Sequence, residues 1–297
     1  MTSLDVSNNL ALTRLVCSNN RLTRLDVSKN TVLINLACTY NQLTSLDVSS
    51  NATLTTLACR DNLLTNLDVS KNPNLTGLGC QNNQLTSLEF SKNSALTELY
   101  CDFNQLSSLD LSESPVLEVL YCNGNQLTNL DVSKNPALTE LRCSSNQITG
   151  LGLSENTALR LLYCNGNQLT TLDVSENTAL RELYCSMNQI KDEAMNTLVN
   201  SLPKQERASL YVLSLTDSTE GNVCTKANVN TAKEKGWNVL AFSNWNWIDY
   251  EGGDPSEIHA ITLDKDTKIP IYDLNGRKLQ MPRRGINIIG GKKVVVK

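Results

Sequence analysis

Four tyrosines and an arginine recur at one interval: Tyr100, Tyr121, Arg142, Tyr163 and Tyr184 stand 21 residues apart. Two residues before them run Glu98, Val119, Glu140, Leu161 and Glu182. If a regular backbone brings both series to one surface, the phenol rings become flat amphipathic platforms. The guanidinium is then a planar cation beside them, and the carboxylates are hydrogen-bond acceptors. Such a set is suited to recognition rather than to making or breaking bonds. Glu140 and Glu182 would lie on an open face that cannot exclude water to separate their pKa values. No GxSxG, HExxH or phosphate-cradling glycine loop occurs, and Cys224 has no histidine near it in the chain. The single histidine, His259, lies far toward the end of the chain. A non-enzymatic protein without cofactors is expected.

Two further columns carry reactive side chains. Cys17, Cys38, Cys59, Cys80, Cys101, Cys122, Cys143, Cys164 and Cys185 are also 21 residues apart, with Cys224 outside the series. Stacked strands would set equivalent cysteines ~4.7–4.9 Å apart with parallel Cβ vectors. Disulfides prefer Cβ atoms at ~3.5–4.5 Å. Neither a CxxC pair nor a histidine accompanies the column as a zinc site would require. Buried thiols acting as small hydrophobes fit better. The other column is Asp5, Asp26, Asp47, Asp68, Glu89, Asp110, Asp131 and Asp173. Stacked carboxylates repel, so backbone N–H groups or Lys29, Lys71, Lys92 and Lys134 must offset the cost. Calcium is the less favoured alternative, because such a column lacks the converging oxygen ligands of a calcium loop. No metal site is expected.

What positions these columns is an internal repeat. Nine turns of 21 residues cover about residues 2–190, with Leu12, Leu33, Leu54 and Asn20, Asn41, Asn62 continuing in step. A fixed period of this length signals a solenoid whose turns contact only their neighbours. One turn reads LTRLVCSNNRLTRLDVSKNTV from Leu12. Around Leu15 and Cys17 the alternation predicts a short strand that buries Leu and Cys and turns Val16 outward. The Asn column falls where the backbone must turn, and its amide can satisfy groups otherwise orphaned in the interior.

The first half of each turn, L-x-x-L-x-C-x-x-N-x-L, resembles the leucine-rich repeat signature, and the second half, L-x-x-L-D-V-S-x-N, nearly repeats it. This nested form is similar to the bacterial IRREKO subclass. Glu89 and Gly152 depart from it at the Asp position, Phe90 at Val and Ser114 at the second Asn. The expected fold class is therefore a mainly β solenoid of the leucine-rich repeat kind. It should have a parallel sheet of about eleven strands, two helix-bearing C-terminal capping turns and a small β tail.

Residues 1–190 form the repeats in this reading and 191–250 the cap. In the cap, Asp192 precedes a helix with Ala194, Met195, Leu198, Val199 and Leu202 on one face. A second helix runs near 226–235 and ends at Gly236. The strand motif is expected again at Leu210-x-x-Leu213-x-Leu215 and at Trp237-x-x-Leu240-x-Phe242. Trp237, Trp245 and Trp247 would serve either as cap packing, the favoured use, or as an aromatic platform. Residues 251–256 read as a linker and 257–297 as two hairpins, with nine basic against four acidic side chains. The cap segments TLVNSLP and EGNVCTKANV resemble those of Bacteroidetes leucine-rich repeat proteins. The tail PIYDLNGRKL…RRGINIIGGKKVVVK is similar to their C-terminal secretion and sorting β domains. A small β module packed on the cap is the equal alternative. The chain opens in the middle of a turn, at Thr2–Ser7, so a missing upstream cap and export signal are expected.

The net charge of −4 gives no basic face for nucleic acid, and no apolar run reaches the ~18 residues of a membrane span. Along the outward column, Val16, Ala37, Ala58 and Gly79 are small, whereas the later residues are the tyrosines and Arg142. A protein or peptide bound on this tyrosine-rich, concave sheet is the leading expectation, with Tyr and Arg as the residue types that dominate interfaces. Cell-surface or secreted location follows from the family resemblance alone. A glycan stacked on the tyrosines is the alternative partner, and a spacer role the third reading. Against the two binding readings stands mutual stacking of the rings, which Arg142 is expected to interrupt without benefit to the stack.

Overall fold

The computed structural model describes residues 1–90 and 92–253 and, of the remainder, the backbone of four short strands. The repeats supply strands β1 (Arg14–Val16), β2 (Asn35–Ala37), β3 (Thr56–Ala58), β4 (Asn66–Asp68), β5 (Gly77–Gly79) and β6 (Ser87–Glu89). They continue with β7 (Glu98–Tyr100), β8 (Val119–Tyr121), β9 (Glu140–Arg142), β10 (Leu161–Tyr163) and β11 (Glu182–Tyr184). Then follow α1 (Glu193–Ser201), β12 (Ala208–Ser214), α2 (Lys226–Glu234), β13 (Trp237–Ser243) and β14 (Asn246–Asp249). One sheet has the order β1-β2-β3-β5-β7-β8-β9-β10-β11-β12-β13-β14, and β4 and β6 form a second, two-stranded sheet. Eleven strands of the long sheet are parallel, and β14 adds a twelfth, antiparallel to β13. The chain divides into two compact units, Met1–Glu251 and Gly252–Lys297. In the second, β15 (Ile271–Tyr272), β16 (Lys278–Leu279), β17 (Gly285–Ile289) and β18 (Lys292–Val296) form an antiparallel sheet in the order β16-β15-β17-β18. The expected segment 257–270 and the two hairpin turns lie outside the described residues.

Every ladder step pairs residue i with i+21 across the repeats, as Leu15 with Leu36 and Leu162 with Leu183. In the repeat strands of the long sheet the central leucine and the cysteine that follows it are buried, so one continuous core runs along them. The thiols pair with nothing covalently. Burial pushes the pKa of Cys143 and Cys224 up to about 12, and it raises the other thiols too. They are inert packing groups.

Two asparagine columns tie each turn to the one before it. Asn41 Oδ1 accepts from Leu22 N–H at 3.0 Å, and its Nδ2 donates to the carbonyls of Cys17 at 3.1 Å and Cys38 at 3.0 Å. The second column, buried from Asn30 to Asn177, uses its Nδ2 protons on two carbonyls. For Asn72 these are Val48 O at 3.0 Å and Asn51 O at 2.8 Å. Its Oδ1 has no partner, and the same holds through that column. The amide is retained because a single nitrogen must donate twice. Ser114 interrupts the column with a hydroxyl that reaches only Asn93 O, at 3.5 Å.

The cap departs from expectation in register. β12 pairs Leu210 with Leu183, so Leu210 fills the second leucine slot of the motif rather than the first. Val212 and Leu213 are buried, and Leu215 is exposed. In β13 the inward residues are Trp237, Val239 and Ala241, while Leu240 and Phe242 lie on the other face. A slip of one residue along a strand exchanges its faces, and the longer helix-bearing turns removed the constant spacing that would have shown it. Asp192 precedes α1 but stands at φ 52° and makes no capping hydrogen bond. α2 is closed by a capping box between Thr225 and Asn228, and Gly236 follows it at φ 84°, where any side chain would strike the Gln205 carbonyl.

Two outcomes are expected. Ser114→Asn restores donors toward Phe90 O and Asn93 O, so it should stabilise the fold by about 1 kcal/mol, whereas Asn72→Ala should cost about 2 kcal/mol; urea unfolding midpoints check both. The folded thiols keep their protons above the pH at which unfolded ones lose them. Stability is therefore complete below about pH 8.5 and declines toward about pH 12, by up to ~1.4 kcal/mol per pH unit for each thiol. Thermal midpoints at neutral and alkaline pH measure this, and a flat profile would refute it.

Candidate functional site

The outward positions of the long sheet align as the pairing dictates: Gly79, Tyr100, Tyr121, Arg142, Tyr163, Tyr184 and then Tyr211 of β12. Adjacent strands stand ~4.7–4.9 Å apart, close enough for rings on successive strands to meet. Tyr100 and Tyr121 meet edge to face at 5.0 Å. The Arg142 guanidinium lies 4.3 Å from the Tyr121 centroid and 4.6 Å from that of Tyr163. Tyr163 and Tyr184 are 3.9 Å apart, and Tyr184 stacks on Tyr211 at 3.6 Å with 10° between planes. Trp247 of β14 closes the row, edge-on to Tyr211 at 4.8 Å and to Phe242 at 5.2 Å.

Arg142 therefore does not interrupt the row to no benefit. It continues the row as a cation held between two ring faces, a contact worth about 0.5–2 kcal/mol depending on desolvation. Its Nε is buried and has no hydrogen-bond partner. The rings themselves are half-buried rather than fully open. Tyr211, Phe242 and Trp247 belong to this face although the motif did not place them there. The signal was present in the alternation SLYVLS, once Leu210 is aligned with Leu183.

The carboxylates divide. Tyr121 Oη donates to Glu140 Oε2 at 2.6 Å, and Tyr100 Oη donates to Glu98 Oε2 at 3.2 Å. Burial, reinforced by these carboxylates, raises both phenol pKa values, so the hydroxyls remain neutral donors. Burial beside its two tyrosine neighbours does the same to Tyr184. Glu182, paired in register with Leu161, has no such tyrosine bond. Toward the amino end the face flattens. Val16 is 60% exposed, and Ala37, Ala58 and Gly79 form a shallow floor of which β5 presents only glycine. The tryptophans also divide: Trp237 is buried and donates its Nε1 proton to Pro203 O at 2.7 Å, whereas Trp245 is exposed.

Along the edge after the cysteines, a left-handed residue recurs every turn, at Asn19, Tyr40, Asp61, Asn82, Phe103, Gly124, Ser145, Gly166 and Met187. Beside it a hydrogen-bonded chain links Asp102 to Asn123, Asn123 to Ser144 and Ser144 to Asn165. Burial raises the Asp102 pKa against the lowering effect of its bonds from Asn123. The Asp column on the other side is settled locally. Asp26 Oδ1 accepts from Ser28 N–H at 2.9 Å, and the pattern recurs at Asp5, Asp47, Asp68, Asp110, Asp131 and Asp173. Hydrogen bonds from Ser28 hold the Asp26 carboxyl below its usual range, with Lys29 a smaller influence. Among the described residues no group of three His, Cys, Asp or Glu side chains is placed to hold a metal ion, and no helix is long and apolar enough to cross a membrane.

The family described as Leucine Rich repeats (2 copies) matches residues 115–155 and 136–177. No curated protein sequence matches the chain. Among solved structures it is similar to the functional domain of InlJ from Listeria monocytogenes, described as including a cysteine ladder. Identity is 35% over 80% of this chain and 52% of that one, with a TM-score of 0.69. A leucine-rich repeat protein of Leptospira interrogans shares the fold at 23% identity and a TM-score of 0.58, over 70% of this chain and 62% of that one. The LRIM1/APL1C complex contains a chain 27% identical over 66% of this one and 42% of its own length, with a TM-score of 0.54. The present chain thus spans between half and two thirds of the first two relatives. Its repeat, its parallel ladder and these matches together show that the chain has the leucine-rich repeat fold, similar to that of the bacterial InlJ domain.

Proposed function

We propose that this protein is a recognition module that binds a protein or peptide partner on the outward face of its long sheet, and that it acts at the bacterial cell surface or after secretion. The observation that carries the reading is the row from Tyr100 to Trp247. Six aromatic side chains and one arginine are held on a rigid scaffold, next to a floor of Ala and Gly. Rings already ordered lose little side-chain entropy on binding, and Tyr, Trp and Arg are the types that concentrate interface energy. The glycines of β5 add to this. Gly weakens a strand and often marks close approach of another backbone or a ligand, and here it leaves a trough beside the Tyr100 wall. A similar fold in the LRIM1/APL1C complex supports a protein partner, and the likeness of the tail to sorting domains supports export.

A glycan on the same rings is less well supported. Of the three acceptors that sugar hydroxyls would use, Glu98 and Glu140 already take the phenol protons of Tyr100 and Tyr121, which leaves Glu182. Catalysis finds no support on so open a face.

Changing Tyr100, Tyr121, Tyr163 and Tyr184 together to Ser should abolish capture of the partner from surface extracts, while circular dichroism shows the fold kept. Equal capture by parent and variant would leave the row a packing device. Gly77→Thr should leave the fold intact or stabilise it slightly, since an added Cβ meets only Thr56 Cγ2 at 3.8 Å. The same change should weaken partner binding by about tenfold or more by filling the trough, as calorimetry would measure. Arg142→Lys keeps the charge but loses the planar stack, and should weaken binding nearly as much as Arg142→Ala.

A further inference from the structure

Beyond Trp247 the row of rings opens into a cleft of about 520 Å³. Its lining includes the aromatic residues Phe242, Trp245 and Trp247 together with Met187, Ser214 and Asp217. Both parts of this lining are pre-formed. The Glu220 carboxylate accepts from the backbone N–H groups of Met187 at 2.8 Å, Ser214 at 2.6 Å and Asn222 at 2.9 Å, tying two turns together behind the cleft. The aromatic wall is a two-residue hairpin between β13 and β14, with Asn244 at φ 49° and Trp245 at φ 66°. A tight turn of this kind suits Asn and Gly; an indole in left-handed backbone is costly there. Trp245 is nonetheless 91% exposed, so intramolecular packing does not account for its presence.

The cleft also carries charge of one sign. Asp217 Oδ1 accepts from Thr219 N–H at 2.8 Å and Thr219 Oγ1–H at 2.7 Å, and these bonds lower its pKa, so it is a carboxylate at neutral pH. Among the described residues no lysine, arginine or histidine lines the cleft to neutralise it. Indole faces and a carboxylate, with no cation of their own, are complementary to a positive group and repel an anion.

We propose that this cleft is a subsite for a basic side chain of the partner, a lysine or arginine whose cationic head lies against the rings of Trp245 and Trp247 and beside the Asp217 carboxylate. The volume, within the ~300–1,000 Å³ typical of ligand pockets, admits the side chain together with its flanking peptide units. The proposal rests on the recognition reading above and names the chemistry that this face would select.

The chain has three tryptophans, so the test is a ¹H–¹⁵N spectrum of their indole groups, assigned by single variants. The probes are Nα-acetyl-arginine methylamide and Nα-acetyl-lysine methylamide. Their neutral counterparts are Nα-acetyl-citrulline methylamide and methyl β-glucoside. Saturable shifts of Trp245 and Trp247 with the two cations are expected, with buried Trp237 unmoved. Citrulline should bind at least about fivefold more weakly than arginine, and Asp217→Asn or Trp245→Gly should weaken the cations by about fivefold or more, the scale of one cation–π or ion-pair contact. Glycine takes the left-handed turn without strain, so the hairpin survives that variant. Equal response to arginine and citrulline, a stronger response to the glucoside, or no shift at Trp245 would each overturn the subsite. No partner protein enters the titration. Loss of the subsite with retained capture through the tyrosine row would therefore defeat this inference alone, and the reverse result would defeat only the broader reading.

Discussion

The structure depends on one constraint: the carbonyls at each bend of a buried backbone must find donors, and the donors come from the neighbouring turn. Asn41 completes the turn that contains Cys17 and Leu22, and Asn72 completes that of Val48 and Asn51. Each amide spans one repeat, so every turn must hold the same number of residues or the bonds miss. The strict period of 21 follows from this requirement. Leucine and cysteine burial then drives the turns together, but it does not by itself demand equal lengths. The second column shows how strong the requirement is. Seven asparagines accept a buried, unpaired Oδ1 so that their nitrogens can donate twice.

That constraint acts only on the inward and turning positions. The outward strand positions contribute nothing to the ladder of amides, so their residue types are free to differ. They do differ, from glycine on β5 to tyrosine on β7, β8, β10 and β11. A rigid sheet with freely chosen outward side chains is the physical basis for recognition by a solenoid. The same spacing also makes the rings touch, so under the proposed function stacking and readiness to bind are one arrangement. Stacking orders the rings, and ordered rings bind at a smaller entropic cost.

Legibility in the sequence tracked the period. Within the repeats, the strands of the long sheet, the buried cysteines and the Asn ladder were readable, because nine copies reported the same register, whereas the short β4–β6 pair was not. Where the turns lengthen to hold α1 and α2, a single copy had to be aligned by its leucines. Leu210 and Leu240 each offered a plausible but wrong register, which hid Tyr211 and Phe242 from the outward face. Asp192 had the residue type of a helix cap without its geometry.

The linear chain by itself determined the repeat length, the parallel ladder, the inward leucine and cysteine columns and the outward position of the tyrosines, since each follows from periodicity and side-chain polarity. Only the tertiary structure decided that Arg142 joins the row as a stacked cation, that Glu98 and Glu140 are held by phenol hydroxyls, and that Trp237 is buried while Trp245 stands in solvent. Those outcomes depend on rotamers, on contacts such as that of Tyr121 with Glu140, 19 positions apart, or on a hairpin that breaks the period, and spacing along the chain carries no information about them.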